Sequence, residues 1–192
     1  MNELDVVGWE RAWAPYDEET YAAALAPIQP QDVVLDIGAG DLRFARRAAK
    51  IARRVYAIEQ NEALLTAVSH PLPSHLIPIC GDATRIPFPA EVTTAVLLMR
   101  HCMHFSLYLR KLRAIGCHTL ITNARWGMGV EVINLDEPTI SYTAVSLGWY
   151  ACHCGAVGFL PGPPRQLTVE VESIVHQVHG CPHCAPLMAE IN

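Results

Sequence analysis

The chain has 192 residues, of which 51% are apolar and 17% charged. That is long enough for one full α/β domain with a small appendage, and the composition excludes global disorder. The net charge of −5 lies entirely in the last third: residues 1–125 hold 13 basic and 13 acidic side chains, whereas residues 126–192 hold Arg165 against six carboxylates. Phosphate backbones are bound mainly by Lys and Arg, so nucleic acid is not favoured as a partner. Mean hydropathy is +0.19, yet no apolar run approaches the roughly 18 residues of a membrane span. The segment Met1 to Asp5 has neither the basic nor the apolar region of a signal peptide. These features predict a cytoplasmic protein with no membrane partner.

Trp9 and Trp13, four apart and followed by Pro15, predict a short first helix. Asp17 can cap a helix running to about Ala26, which Pro27 and Pro30 end. An α/β rhythm follows. Val33 to Ile37 reads as a buried strand running into the turn Gly38-Ala39-Gly40. Residues 42–52 repeat apolar side chains at helical spacing. Val55 to Ile58 is a second strand, and Asn61 caps a helix that stops before Pro71. His75 to Ile79 and Thr94 to Met99 are further strands. Ser106 is a candidate cap for a helix ending at Gly116, and Cys117 to Thr122 is a fifth strand. Strands alternating with helices predict right-handed βαβ units and a mostly parallel sheet with helices on both faces. Beyond Thr122 no helix precedes the next strand, Val130 to Leu135. A turn at Asp136-Glu137-Pro138 follows. The domain division falls near Gly148-Trp149, giving a Rossmann-like unit over 1–145 and a small β unit over 146–192.

Asp36-Ile37-Gly38-Ala39-Gly40 sits where a strand meets a helix. Glycines there admit a ligand close to the backbone, and a helix N-terminus presents free amides. Glu59 ends the second strand, 21 residues after Gly38, the spacing at which an acidic residue reaches ribose hydroxyls. Gly81-Asp82-Ala83 follows the third strand, where Asp82 can accept from an adenine amino group. All three lie at carboxyl ends of neighbouring strands, where open α/β sheets bind ligands. Each alone suits an ordinary turn cap or solvated strand end equally well. Their order and spacing point to a nucleotide-type cofactor.

On these residues the chain resembles the class I S-adenosylmethionine-dependent methyltransferases over about residues 17–122. The resemblance rests on Val33 to Gly40, Ala57-Ile58-Glu59 and Cys80-Gly81-Asp82-Ala83. It implies that Gly38 and Gly40 pass close to the methionine part of S-adenosylmethionine, with Asp36 among the cofactor-binding residues. It also implies Glu59 on the ribose, Asp82 on the adenine, and Gln60 with Ala83 lining the adenine slot. Leu42 stands where the family has a third glycine, Thr93-Thr94 replaces an acidic residue, and no Asn-Pro-Pro-aromatic motif follows the fourth strand. The last departure argues against the amino-methylation chemistry that this motif serves. NAD, the competing ligand of such a fold, fits less well, because the loop lacks the third glycine of the dinucleotide fingerprint.

Arg100-His101-Cys102-Met103-His104-Phe105 follows the fourth strand and faces the same edge. His101 and His104 are candidate general bases, since imidazole titrates near neutral pH. Both equally suit backbone capping and exposure, and methyl transfer to a good nucleophile needs only positioning and desolvation. Asn123, Arg125 and Trp126 are further wall candidates. The basic run Arg43, Arg46, Arg47, Lys50, Arg53, Arg54 reads as the solvated side of the first sheet helix.

Seven cysteines are many for such a chain. Cys152-His153-Cys154 and Cys181-Pro182-His183-Cys184 are two tight pairs separated by 26 residues. Zinc takes four thiolates tetrahedrally, and each turn supplies two. His153, His179 and His183 are alternatives for one ligand. With Val157 to Leu160 and Leu167 to Val178 strand-like, the unit reads as a zinc ribbon whose metal is structural. The whole reading is a methyltransferase of unidentified acceptor, using S-adenosylmethionine and zinc, with a possible protein partner at the ribbon. The alternative is a non-catalytic S-adenosylmethionine-binding adaptor.

Overall fold

The computed structural model describes residues 16–68, 71–125 and 127–184. The expectations on Trp9, Trp13 and Trp126 lie outside them. Helix α1 (Glu18–Leu25) starts where Asp17 accepts a hydrogen bond from the Thr20 amide. It is followed by β1 (Val33–Ile37), α2 (Arg43–Ala48), β2 (Arg54–Glu59), α3 (Glu62–Ala67), β3 (Leu76–Cys80) and β4 (Thr94–Leu97). Asn61 caps α3 by accepting from the Ala63 amide. Then come α4 (Phe105–Ala114), β5 (Thr119–Thr122) and β6 (Glu131–Asn134). Ser106 does not cap α4. The helix begins at Phe105, two residues before a Ser106 cap would start it, and His104 occupies the cap with no side-chain hydrogen bond, because Phe105 is drawn in as a buried residue of the core.

These strands form one six-stranded sheet in the order β3-β2-β1-β4-β5-β6. Strands β1 to β5 pair in parallel, and β6 returns antiparallel along β5. Alternation along β1 divides the core. Val33, Leu35 and Ile37 face a cluster with Phe105, Leu109 and Leu112 of α4. Val34 faces the opposite cluster, with Tyr21 and Ala24 of α1 and Phe44, Ala45 and Ala48 of α2. The sheet is therefore covered on both faces, as a parallel sheet requires.

The second sheet holds β7 (Ile140–Ser141), β8 (Gly148–Cys152), β9 (Val157–Leu160) and β10 (Val175–His179), in the order β7-β10-β8-β9. Strand-like Leu167 to Val178 is only partly strand. Val169–Ser173 forms a short helix, α5, because Thr168 accepts from the Val171 amide and Glu170 and Glu172 occupy its first turn. Tyr142–Ala144 is a 3₁₀ turn ahead of β8. The small core contains Val145, Tyr150, Val178, Cys152 and Cys181. No described helix is long and apolar enough to cross a membrane.

Leu42, at the family's third glycine position, has φ 64°, in the left-handed region. A non-glycine residue there costs about 1–2 kcal/mol. The side chain is fully buried among Phe44, Val34 and their neighbours, and such burial contributes about 2–3 kcal/mol. Burial wins, so the loop keeps a leucine where only glycine is unstrained. Leu42→Ala retains the strain and leaves a cavity; Leu42→Gly leaves the cavity but relieves the strain. Urea denaturation should place both below wild type, with the alanine variant the less stable by about 1 kcal/mol. The reverse order would show that the loop carries no strain.

Candidate active site

At the carboxyl end of β1 the chain turns at Gly38, with φ 76°. A Cβ there would lie 2.9 Å from the Met99 methyl, the movable end of a flexible side chain, so the left-handed φ favours glycine here more than crowding does. The Gly38 and Ala39 amides both donate to the Ile58 carbonyl, each at 2.9 Å. The Gly40 amide donates to Glu59 Oε2 at 2.8 Å, and the Asn61 amide donates to Oε1 at 2.8 Å. The Gly81 amide donates to the Glu59 carbonyl at 2.9 Å. Three strand ends are thereby stitched together through one residue. Asp82 Oδ1 accepts from both the amide and the hydroxyl of Thr84 at 2.9 and 2.7 Å, and these bonds hold its carboxyl below the usual range.

Asp36, Gly38, Gly40, Glu59, Gln60, Asp82, Ala83, His101 and His104 all line one cleft of about 710 Å³. That size suits a nucleoside-bearing cofactor. Tyr16, Tyr21, Arg43, Met99 and Tyr108 line it too, and sequence reasoning missed them. In the sequence Arg43 belongs to a basic run that reads as solvated. Its guanidinium instead grips Asp41 from Nε at 2.9 and 2.8 Å, beside the glycine loop. The aromatic residues come from remote segments with no local signal. His101 adopts φ 58° and also lines a second cavity of about 260 Å³, with Arg100, Asn123 and Arg125.

Arg125 is 1% exposed. It donates from Nε to Glu131 at 2.6 Å, pairs with the same carboxylate through Nη2, and donates from Nη1 to Gln177 of β10 at 2.9 Å. Its guanidinium lies 5.5 Å from the Phe105 ring centroid.

In the second sheet, the thiols of Cys152, Cys154, Cys181 and Cys184 all lie within 4.8 Å of one another. The closest pairs, Cys152–Cys184 and Cys154–Cys181, are 3.5 Å apart, and Cys181–Cys184 are 3.8 Å apart. Four sulfurs 2.3 Å from a tetrahedral zinc are separated by about 3.8 Å, so the donor set fits that ion. No described histidine belongs to this group. The His153 ring nitrogens Nδ1 and Nε2 instead lie 3.2 and 3.3 Å from Nη1 and Nη2 of Arg113 of α4. Cys80, Cys102 and Cys117 stand apart from the cluster.

Asp36 is 3% exposed, and its Oδ2 has no hydrogen-bond partner among the described residues. Burial, with the nearby charges of Glu59 and Asp41, pushes its carboxyl up to about 7. An unfolded aspartate titrates near 3.9. Between these values the folded protein binds more protons than the unfolded chain, so Asp36 lowers stability as pH rises through that window. Asp36→Asn should therefore melt at a higher temperature than wild type at pH 8. The advantage should vanish towards pH 4. An equal difference at both pH values would show an ordinary carboxyl.

Residues 35–115 match the family model described as Methyltransferase domain. A probable ribosomal RNA small subunit methyltransferase A of Methanosarcina mazei is 37% identical over 68 residues, 34% of this chain and 25% of the relative. Its counterpart in Methanosarcina acetivorans is 35% identical over 66 residues, 33% of this chain and 24% of the relative. The chain thus spans about a quarter of the length of the curated relatives it matches. Among solved structures, a dimethyladenosine transferase from Plasmodium falciparum aligns with 18% identity and a TM-score of 0.48, covering 55% of this chain and 41% of that one. Over residues 35–115, less than half of its length, the chain is similar to a methyltransferase domain.

Proposed function

We propose that the protein transfers a methyl group from S-adenosylmethionine to an acceptor bound beside the cleft, and that a structural zinc ion holds its C-terminal sheet. The observation that carries the first part is the convergence of the glycine loop, Glu59 and Asp82 on one cleft within the matched domain. When bound, S-adenosylmethionine supplies an electrophilic methyl on a sulfonium. Glu59 already spends one lone pair of each oxygen on a backbone amide, which fixes its carboxylate and leaves acceptor capacity for ribose hydroxyls. Asp82, anchored by Thr84, holds Oδ2 for an amino group in a surface pair with exposed Arg85 at 3.3 Å, and Gln60 and Ala83 wall the adenine. Asp36, with a free buried oxygen, suits an ammonium group. His101 is the better placed of the two candidate bases, because it lines both the cleft and the adjoining cavity, whereas His104 lines the cleft alone.

The acid-rich third that argued against nucleic acid covers residues 126–192 and not the cleft's mouth. The named relatives act on ribosomal RNA, which supports nucleic acid as the acceptor class to test first. The same reading divides the chain into a cofactor-binding part over 1–145 and a metal-held part over 146–192, with β7 reaching across to the second sheet. A protein partner is a further role for that sheet. Four reduced thiols suit the cytoplasm.

Calorimetry should show binding of S-adenosylhomocysteine, weakened by about 1–3 kcal/mol in each of Glu59→Ala and Asp82→Ala through lost buried hydrogen bonds. Binding of NAD instead overturns the reading. Release of label from methyl-labelled cofactor to an acceptor separates an enzyme from a non-catalytic adaptor.

Elemental analysis should find about one zinc per chain, depleted in Cys181→Ser. Chelation should loosen the second sheet before the first, because the six-stranded sheet has its own core. Undiminished zinc in Cys181→Ser would show a different ligand set.

A further inference from the structure

Asn123 follows β5, and its backbone amide is engaged. Thr122 Oγ1 donates to the Leu97 carbonyl at 2.8 Å and accepts from the Ala124 amide at 3.0 Å. The Asn123 amide donates to that same carbonyl at 3.4 Å. The side chain, by contrast, is idle: it is 7% exposed, and neither Nδ2 nor Oδ1 has a partner among the described residues. An unsatisfied buried amide is costly, so its retention calls for a ligand. The residue lines the cavity of about 260 Å³ together with Thr20, Arg100, His101, Arg125 and Val130. Arg100 and His101 are shared with the larger cleft, so the two spaces adjoin.

We propose that this cavity receives a single unstacked nucleobase of the methyl acceptor, with the Asn123 amide pairing to its edge. The proposal rests on the methyl-transfer reading for calling the ligand an acceptor, but not for its binding. An amide presents one donor and one acceptor side by side, which matches the adjacent donor and acceptor of a base edge. The volume lies just below the roughly 300–1,000 Å³ of drug-sized pockets and suits one heterocycle. The lining decides between acceptor classes. Arg100 contributes an exposed cation and His101 a ring nitrogen, the Arg125 charge is already met by Glu131, and no described lining residue is a carboxylate. A lysine or arginine side chain would meet like charge there, whereas a nucleotide brings a phosphate for exposed Arg100. Planar guanidinium and imidazole groups also stack on bases.

The test uses the full chain with S-adenosylhomocysteine added. Fluorescence anisotropy compares single-stranded hexaribonucleotides of A, C or U with an abasic hexamer carrying the same phosphates. Wild type should prefer at least one base-bearing strand over the abasic strand by about tenfold or more. Asn123→Leu should lose that preference yet keep its abasic affinity. It should also melt at a higher temperature, because two unsatisfied buried atoms are gone. This excludes misfolding as the cause. Arg100→Ala should weaken all strands alike. Unchanged preference in Asn123→Leu, no preference in wild type, or tighter binding of a lysine-containing peptide than of any hexamer would each overturn the proposal. Calorimetry of S-adenosylhomocysteine is read separately: its failure sinks the cofactor reading alone, and loss of base preference sinks this one alone.

Discussion

The Glu59 carboxylate, clamped between the amides of Gly40 and Asn61, is the contact on which the cleft depends. The sheet order β3-β2-β1-β4-β5-β6 reverses its direction of growth at β1, so the connections after β1 and β4 leave to opposite sides and a crevice opens between them. A crevice alone has soft walls. Glu59 joins the loop after β1 to the start of α3, and its carbonyl receives the Gly81 amide from the end of β3. These bonds hold three backbone segments in one relation before any ligand arrives. A carboxylate accepting two amides is an inexpensive way to do this, because charge-assisted bonds are stronger than neutral ones.

The second constraint is a buried ion pair. Arg125 meets Glu131 with almost no exposure on either side, and such pairs seldom stabilise a fold more than apolar packing would. Its effect is better described as registration. Glu131 begins β6, Gln177 belongs to β10, and Phe105 opens α4, so one guanidinium fixes elements of both sheets. Gln177 sits beside Val178, which pairs with Cys152 in the sheet ladder. The thiol cluster and the wall of the smaller cavity are therefore two or three residues apart through covalent and hydrogen-bonded links. A metal that stiffens the four-cysteine turns would stiffen that wall as well.

Much of this was legible in the sequence, for reasons that differ by feature. Val33 to Ile37 followed by Gly38-Ala39-Gly40 reads as strand and turn because apolar continuity and glycine placement are local signals. Glu59 and Asp82 stand out in the sequence because strand ends in a parallel sheet recur at regular spacing, and all nine residues singled out for cofactor or catalysis line the same cleft. The cysteine pairs announce themselves by spacing, and the four thiols do gather. Three features were not legible. Helix α5 is five residues long with alternating Val and Glu, which mimics a strand; its Thr168 cap decides the matter. The start of α4 is set by tertiary burial of Phe105 and not by a capping side chain. Arg43 was lost in a basic run because its partner Asp41 precedes it by two residues, a spacing that does not bring side chains together on a helix. The pair forms because Leu42 between them is left-handed.

That last point extends to the whole edge of the sheet. Natural folds obey local rules nearly everywhere, and the places where they do not are expected to be functional or strained. Among the described residues, the buried side-chain atoms without a partner are Asp36 Oδ2 and the two amide atoms of Asn123. The non-glycine residues with positive φ are Leu42 and His101. Asp36 and His101 line the larger cleft, Asn123 and His101 line the smaller cavity, and Leu42 lies between Asp41 and Arg43 of the cleft's wall. Unpaired atoms and backbone strain have separate physical origins, so chance gives no reason for them to coincide. Their convergence at the carboxyl ends of β1, β4 and β5 is what a surface shaped for ligands, and completed only by them, would show.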